Sequence, residues 1–369
     1  MKISIPKEIK DNEFRVAITP DAVNTLTLAG HEVYIEEGAG ISSGFTDEEY
    51  KSQGATIVDQ KTCWEVADMI YKVKEPLKEE YKFFREGLII FCYLHLAANE
   101  ELTKELLKNK VTGVAFETVE VNGKLPLLRP MSEIAGRMAI TEGSFYLSKQ
   151  AGGKGILLDG VPGVAPAHVV IIGTGGVGRS AVKVATGMGA RVTAIGHNME
   201  QLSQLIDIFG NSIETLYSDP YNISKAVESA DLVISTVLVP GSKAPCLVTE
   251  EMVKSMGEGS VIVDVAIDQG GSIETTKNHP TTHSNPTFVK HGVIHYAVAN
   301  IPGSVPMTST KALSNATSEF ANLIAKEGIK KAMENHGLKL GINTMGGYIT
   351  NAALAKVYEE DYKDPQEII

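Results

Sequence analysis

Short apolar runs of strand length alternate along this chain with stretches whose apolar residues recur at helical spacing. In the first third, residues 3–5, 32–36, 69–73, 88–93 and 112–116 read as strands, and 21–29, 77–85 and 99–107 as helices. Pro130-Met131-Ser132 opens a longer helical stretch through Gln150, with Ser132 as its N-cap and Gly152-Gly153 as its stop. A second series of strands follows at 169–172, 191–195, 230–239, 260–267 and 293–298, with a helix at 249–256 and a polar loop before the last strand. From Thr308 a helix is predicted to about Glu334, then a loop, then a shorter helix over 351–359. Such alternation predicts an α/β fold of two doubly wound Rossmann-like domains with largely parallel sheets. The last helices have no place in the second series, so the chain is expected to cross back. Residues 1–128 plus 306–369 would then form one discontinuous domain, with 129–305 inserted into it as the other. A length of 369 residues is enough for two such cores.

The run Val169-Val170-Ile171-Ile172 leads into Gly173-Thr174-Gly175-Gly176-Val177-Gly178, followed by the helical Ser180–Ala185 and the strand over 191–195. A GxGxxG between strand and helix lets the backbone turn tightly and approach a pyrophosphate at the helix N-terminus. It points to a dinucleotide. An acid gripping the adenosine ribose should close the second strand, about 20 residues on. Gly196-His197-Asn198 stands there instead. Glycine removes the repulsion a carboxylate would exert on a 2′-phosphate and is expected to leave room, while His197 and Asn198 could donate to one. NAD is the expected cofactor, with NADP use left open; backbone groups or Asn198 could equally hold the ribose.

Composition narrows the class. The formal net charge of −11 argues against nucleic acid and against an anionic membrane surface as partners. The three cysteines, Cys63, Cys92 and Cys246, are far apart and form no CxxC or Cys/His cluster, so neither a disulfide framework nor a metal site is expected. The opening Lys2-Ile3-Ser4-Ile5-Pro6 reads as a strand rather than a signal peptide, and no apolar run reaches membrane-spanning length. A soluble cytoplasmic protein is the expectation.

Four charged or titratable residues fall where strands end, the edge at which open α/β sheets place ligands. Asp268 follows the run Val261–Ile267, and Asp264 within that run reads as structural. Lys74 lies in Lys72-Val73-Lys74-Glu75-Pro76, His95 in Phe91-Cys92-Tyr93-Leu94-His95-Leu96, and Arg15 in Asn12-Glu13-Phe14-Arg15-Val16-Ala17 after the first strand. An arginine fork suits a carboxylate, a lysine adds a point charge, and an imidazole suits proton transfer to a carbonyl. Singly, Arg15, Lys74 and His95 are each of a type more often found as a surface cation or a satisfied core histidine, and a lone Asp such as Asp268 is more often a loop residue capping a turn. Their coincidence at strand ends is what defines a candidate site.

Several longer motifs carry a family resemblance. Ile5-Pro6-Lys7-Glu8-Ile9-Lys10 with Glu13-Phe14-Arg15-Val16, Val73-Lys74-Glu75-Pro76, Tyr93-Leu94-His95-Leu96-Ala97, Asp264–Gly271 and His295-Tyr296-Ala297-Val298-Ala299-Asn300-Ile301-Pro302 resemble, in order and spacing, those of alanine dehydrogenases. The resemblance covers essentially the whole chain. It implies reversible NAD-linked oxidative deamination of L-alanine to pyruvate and ammonia. In that reading Arg15 and Lys74 hold the substrate, His95 donates and accepts the proton, and Asp268 is the second catalytic residue. The discontinuous domain would be the substrate domain. For the cofactor the resemblance implies Ser132, Gly173, Gly175, Gly176, Val177, Gly178, Ser218, Val237, Leu238, Val265, Ala266, Ile267, Asp268, Val298, Ala299, Asn300 and Ile301, beside His197 and Asn198. It also implies a homohexamer; the chemistry would need the two domains to close and expel water. Departures cluster at the adenosine end, where Gly196 and Gln201 replace the family's usual Asp and Arg; Ile301 replaces a usual Met. Two rivals follow: an NADP-dependent opine-type synthase that joins pyruvate to an amino acid, and a non-catalytic NAD(H)-binding subunit like that of transhydrogenase.

Overall fold

Val169, Ile171, Leu232, Ile234, Val261 and Val263 pack into one core layer, while Val170, Ile172, Val233 and Ile262 pack into another. Successive strand residues point to opposite faces, so uninterrupted β-branched runs mark strands covered on both sides. Each such side chain contributes about 1.5–3 kcal/mol on full burial. The computed structural model describes residues 1–237 and 244–368, and in it the chain divides into two units. One comprises Met1–Met131 with Val305–Ile369 and the other Ser132–Ser304.

In the first unit, strands β1 (Lys2–Ile5), β2 (Glu32–Glu36), β3 (Thr56–Val58), β4 (Met69–Tyr71), β5 (Ile89–Cys92) and β6 (Thr112–Ala115) run parallel. Helices α1 (Pro20–Leu28), α2 (Asp47–Ser52), α3 (Gln60–Val66) and α4 (Glu100–Lys108) connect them. The chain then enters α5 (Arg129–Tyr146) and the second unit. There β7 (His168–Ile172), α6 (Gly176–Gly187), β8 (Arg191–Gly196), α7 (Met199–Phe209), β9 (Ile213–Tyr217), α8 (Pro220–Glu228), β10 (Leu232–Ser235), α9 (Glu250–Ser255), β11 (Val261–Asp264), β12 (Thr287–Lys290) and β13 (Val293–Tyr296) follow. The chain returns through α10 (Pro306–Ala332) and α11 (His336–Gly341) to β14 (Ile342–Met345), β15 (Tyr348–Ile349) and α12 (Ala352–Tyr358).

The sheets have strand orders β15-β14-β6-β5-β4-β1-β2-β3 and β12-β13-β11-β10-β7-β8-β9. In both, the first strand lies centrally, the next two wind to one side and the following ones to the other. This is doubly wound Rossmann topology, with a switch point between β1 and β4 in one sheet and between β7 and β10 in the other. Only the edges depart from parallel: β14, β15 and β12 pair antiparallel.

Several expectations are corrected. Ser132 is the fourth residue of α5, inside the helix, and does not cap it. That helix stops at Tyr146; Gly152, in the left-handed region with φ 94°, instead ends the short turn Lys149–Ala151. The helix expected over 77–85 is a 3₁₀ turn, Lys78–Phe83. The strand expected to reach residue 267 ends at Asp264, whose carboxylate accepts from the Ala266 amide and starts the turn Val265–Gln269. Residues 335–350 are not a loop: they form α11 and the hairpin β14–β15 turning at Gly346-Gly347. Thr344 ties that hairpin to the first sheet, its hydroxyl accepting from the Gly113 amide and donating to the Val111 carbonyl, 3.1 Å each. The polar loop before β13 contains β12.

Candidate functional site

In the first unit the charged candidates gather on segments leaving the carboxyl ends of β1, β4 and β5. Arg15 is 2% exposed, and its Nε and Nη2 donate to the two carboxylate oxygens of Glu13 at 2.6 and 2.5 Å. Burial opposes the Glu13 anion, but Arg15, with Lys74 beside it, holds that carboxyl below its ordinary range. The Nε edge of the Arg15 fork is therefore spent inside the protein, and Nη1 lies 3.0 Å from the Met131 sulfur.

Behind β4, Glu8 fixes the backbone that carries Lys74: its Oε1 accepts from the amides of Val73 at 2.6 Å and Lys74 at 3.3 Å. The other Glu8 oxygen is buried without a hydrogen bond, 3.7 Å from Lys72 Nζ, too far for one. Lys72 is 1% exposed and donates to both Glu80 oxygens, at 2.8 and 2.9 Å. Burial would discharge Lys72, but Glu8 and Glu80 outweigh it and keep the ammonium. Burial is also the main influence on Glu8, pushing its carboxyl up to about 7 against the pull of Lys72.

His95 follows β5 in the left-handed region, φ 50° and ψ 36°, an unusual place for a residue with a Cβ. Glu117, just beyond β6, holds it there by accepting from the amides of His95 at 2.6 Å and Leu94 at 3.2 Å. The ring Nδ1 is 3.1 Å from Glu75 Oε2, and the other Glu75 oxygen pairs with Lys10. Burial alone would raise the Glu75 carboxyl; His95 and Lys10 bring it down to about 2. A carboxylate can only accept, so Nδ1 carries the proton and Nε2 is the basic nitrogen.

In the second unit the cofactor candidates gather at the carboxyl ends of the parallel strands. Gly173 ends β7 with φ 106°, a conformation glycine alone adopts readily. A Cβ on Gly178 would fall 1.8 Å from the Gly173 carbonyl oxygen, so the turn closes on itself only with glycine there. A Cβ on Gly175, the N-cap of α6, meets nothing within 4 Å, which leaves open space at the start of that helix where a phosphate group fits. One on Gly176 would lie 3.7 Å from Ser132 Cβ, which brings Ser132 and Val177 to the same turn. His197 and Asn198 are exposed after β8, and Asn198 caps α7 by accepting from the Gln201 amide at 3.1 Å. Ser218 follows β9, its amide donating to the Gly196 carbonyl at 2.9 Å. Val237 follows β10; Leu238 lies outside the described residues.

Val265, Ala266, Ile267 and the exposed Asp268 form the turn after β11. Asp264, fully buried, accepts from the Ser272 amide and the Ser272 and Thr276 hydroxyls, which bears out its structural reading. Val298, Ala299, Asn300 and Ile301 follow β13, with Val298 and Ile301 in the core and Asn300 in the left-handed region at φ 58°.

At the adenosine end the Cβ side of Gly196 is already filled: a Cβ there would sit 2.5 Å from Thr174 Oγ1 and 2.6 Å from its methyl. Arg15, Lys74 and His95 thus belong to the first unit, Asp268 and the cofactor candidates to the second. The partners Glu8, Lys10, Glu13, Glu75 and Glu117 were missed as functional. Four of them stand in the motifs that carry the family resemblance. Glu13 lies only two residues from Arg15, but for the others pairing across 20 or more residues leaves no mark in local spacing. A hollow of about 300 Å³ lies at the opposite, amino-terminal edge of the second sheet, lined by Gly155–Leu157, Val161, Val164 and Asp231 among others. It is remote from these residues, and Asp231 is already bound by Lys154 and the His168 amide. Among the described residues there is no metal-binding cluster and no helix long and apolar enough to cross a membrane.

Two Rossmann-like units, one edged with paired charges and the other with a glycine turn, define an α/β protein with the layout of a nucleotide-dependent oxidoreductase. The family models for the N-terminal and C-terminal domains of alanine dehydrogenase/PNT match residues 4–135 and 139–352, and the chain belongs to that family. It is 58% identical to an alanine dehydrogenase of Methanococcus maripaludis over the whole of both chains. It is 56% identical to that of Bacillus subtilis over 98% of this chain and 96% of the other. A solved L-alanine dehydrogenase superposes with a TM-score of 0.94 at 48% identity, covering 97% of this chain and 99% of the other. A transhydrogenase from Sinorhizobium meliloti superposes at 0.82 with 25% identity, covering 96% and 100%.

Proposed function

We infer that this chain is an enzyme catalysing reversible, NAD-dependent oxidative deamination of L-alanine to pyruvate and ammonia. The observation carrying this reading is the charged constellation of Arg15, Lys74 and the Glu75-bound His95 at the strand ends of a chain 58% identical, end to end, to an alanine dehydrogenase. The first unit is the substrate domain and the second the nucleotide domain. The nicotinamide, when bound, supplies hydride transfer; the protein orients it and manages charge and protons. Gly173 to Gly178, with Ser132, would hold the pyrophosphate, and the residues following β8 to β13 the rest of the cofactor.

Arg15 and Lys74 would pin the carboxylate and carbonyl side of pyruvate, a positioning effect. With its Nε edge bound to Glu13, Arg15 would meet the substrate through the far end of the fork. In the reductive direction ammonia adds to the carbonyl and water leaves. His95 Nε2 gives the departing oxygen its proton and takes one from the incoming amine, while Glu75 stabilises the imidazolium. Asp268 would stabilise the cationic iminium. The protein would work in the cytoplasm, as a homohexamer.

The rivals are less well supported. A non-catalytic nucleotide-binding subunit has no need of His95 with its paired carboxylate, and the Methanococcus maripaludis and Bacillus subtilis alanine dehydrogenases align with this chain over 100% and 96% of their length. Reductive amination of pyruvate, run in parallel with NADH and NADPH, tests the proposal. Oxidation of NADH should require both pyruvate and ammonia. Turnover only when an amino acid such as ornithine replaces ammonia would favour the opine-type reaction instead.

A further inference from the structure

Gly196 lies in ordinary strand backbone at the end of β8, so its conformation does not demand glycine. Space does. The Thr174 side chain occupies the place a Cβ would take, is 8% exposed, and donates to Gln201 Oε1 at 2.8 Å. Thr174, Gly196 and Gln201 are therefore one packed unit, and an acid at 196 is incompatible with threonine at 174. The Nε2 end of Gln201, the amide nitrogen of the cap Asn198 and the exposed His197 ring add hydrogen-bond donors at this corner. Of the acids nearest in sequence, Asp219 accepts from Asn222 at 2.7 and 2.9 Å and Glu200 from Gln204 at 3.4 Å, while Thr174 donates to Gln201 rather than to either.

We propose that Thr174, clamped by Gln201, stands in place of a ribose-binding acid, and that this corner accepts adenosine nucleotides carrying either a 2′-hydroxyl or a 2′-phosphate. The proposal rests on the nicotinamide-nucleotide reading above and names the side chains that set its selectivity. A carboxylate selects by accepting from both ribose hydroxyls and repelling a phosphate; hydrogen-bond donors serve either group.

Equilibrium binding of NADH and NADPH to the full chain, followed by fluorescence and without turnover, tests this. The two dissociation constants should agree within about tenfold. Thr174→Gly combined with Gly196→Asp should shift their ratio toward NADH by about thirtyfold or more. Gly196→Asp alone should lower the melting temperature and weaken both nucleotides, because its Cβ meets Thr174. Gln201→Glu, which adds charge without crowding the core, should shift the ratio the same way as the double variant. The proposal is overturned if wild type prefers NADH by more than about tenfold. It is equally overturned if Gly196→Asp alone keeps the wild-type melting temperature and matches the double variant. Failure to bind either nucleotide would instead bring down the parent reading.

Discussion

At the ends of β1, β4 and β5 the first unit carries Lys10, Glu13, Arg15, Lys74, Glu75 and His95, with Glu75 joining Lys10 and His95 across segments and Glu13 held to Arg15 within one. At the ends of β7 and β8 the second unit carries glycines, backbone amides and the neutral Thr174, Asn198 and Gln201. The winding of the two sheets is the same. Topology thus says where a ligand meets each sheet, and the residues placed there say which ligand it is. A small keto acid offers little surface and a full charge, so side-chain ions must hold it. A dinucleotide offers a long surface and a pyrophosphate, so backbone brought close by absent side chains suffices.

That division can be broken from either side. His95→Ala should lower kcat about 10²–10⁴-fold while NADH affinity, read by fluorescence, stays as in wild type. A parallel loss of NADH binding would mean the two edges are not separable. Gly178→Ala should do the reverse, since its methyl meets the Gly173 carbonyl at 1.8 Å and backbone cannot yield cheaply. Nucleotide affinity should fall, with a stability loss of about 1–3 kcal/mol by denaturant melt; wild-type values for both would refute the packing argument. Glu75→Gln keeps an acceptor for His95 Nδ1 but removes the charge, and should reduce kcat about tenfold with little change in the pyruvate KM. A change confined to KM would remove Glu75 from the proton-transfer role.

The smallest effect concerns pH and stability. Glu8 holds its proton to about pH 7 in the folded state, against 4.5 as its ordinary value. Between those values the folded chain binds a proton that the unfolded chain has released, so this carboxyl makes stability fall as pH rises across that window. Glu8→Gln, which can still accept from Val73 and Lys74, should flatten that fall by on the order of 2 kcal/mol in denaturant titrations at pH 5 and 7. An unchanged slope would show that Glu8 titrates normally.

Much of this was legible in the sequence. The β-branched run before Gly173 announced a strand covered on both faces, and the spacing of Gly173, Gly175 and Gly178 announced the turn. Lys74 and His95 read as strand-end residues because an apolar run precedes each, and they do follow β4 and β5. What stayed hidden depends on three dimensions. Glu117 reaches the His95 amide from the next strand, 22 residues away. The space beside Gly196 is filled by Thr174 from the neighbouring strand's turn, so glycine there read as room rather than as a filled contact. The β14–β15 hairpin was hidden for another reason: two short strands flanking Gly346-Gly347 carry too few residues to show a period.

The left-handed backbone of His95 carries a cost. A residue with a Cβ in that region is strained by about 1–3 kcal/mol, and here the Glu117 carboxylate keeps it in place. Folding therefore gives up some cohesion at this residue so that the ring is presented one way. Asparagine or glycine at 95 would relieve that tension, and such inactive proteins should withstand heat better than the working one.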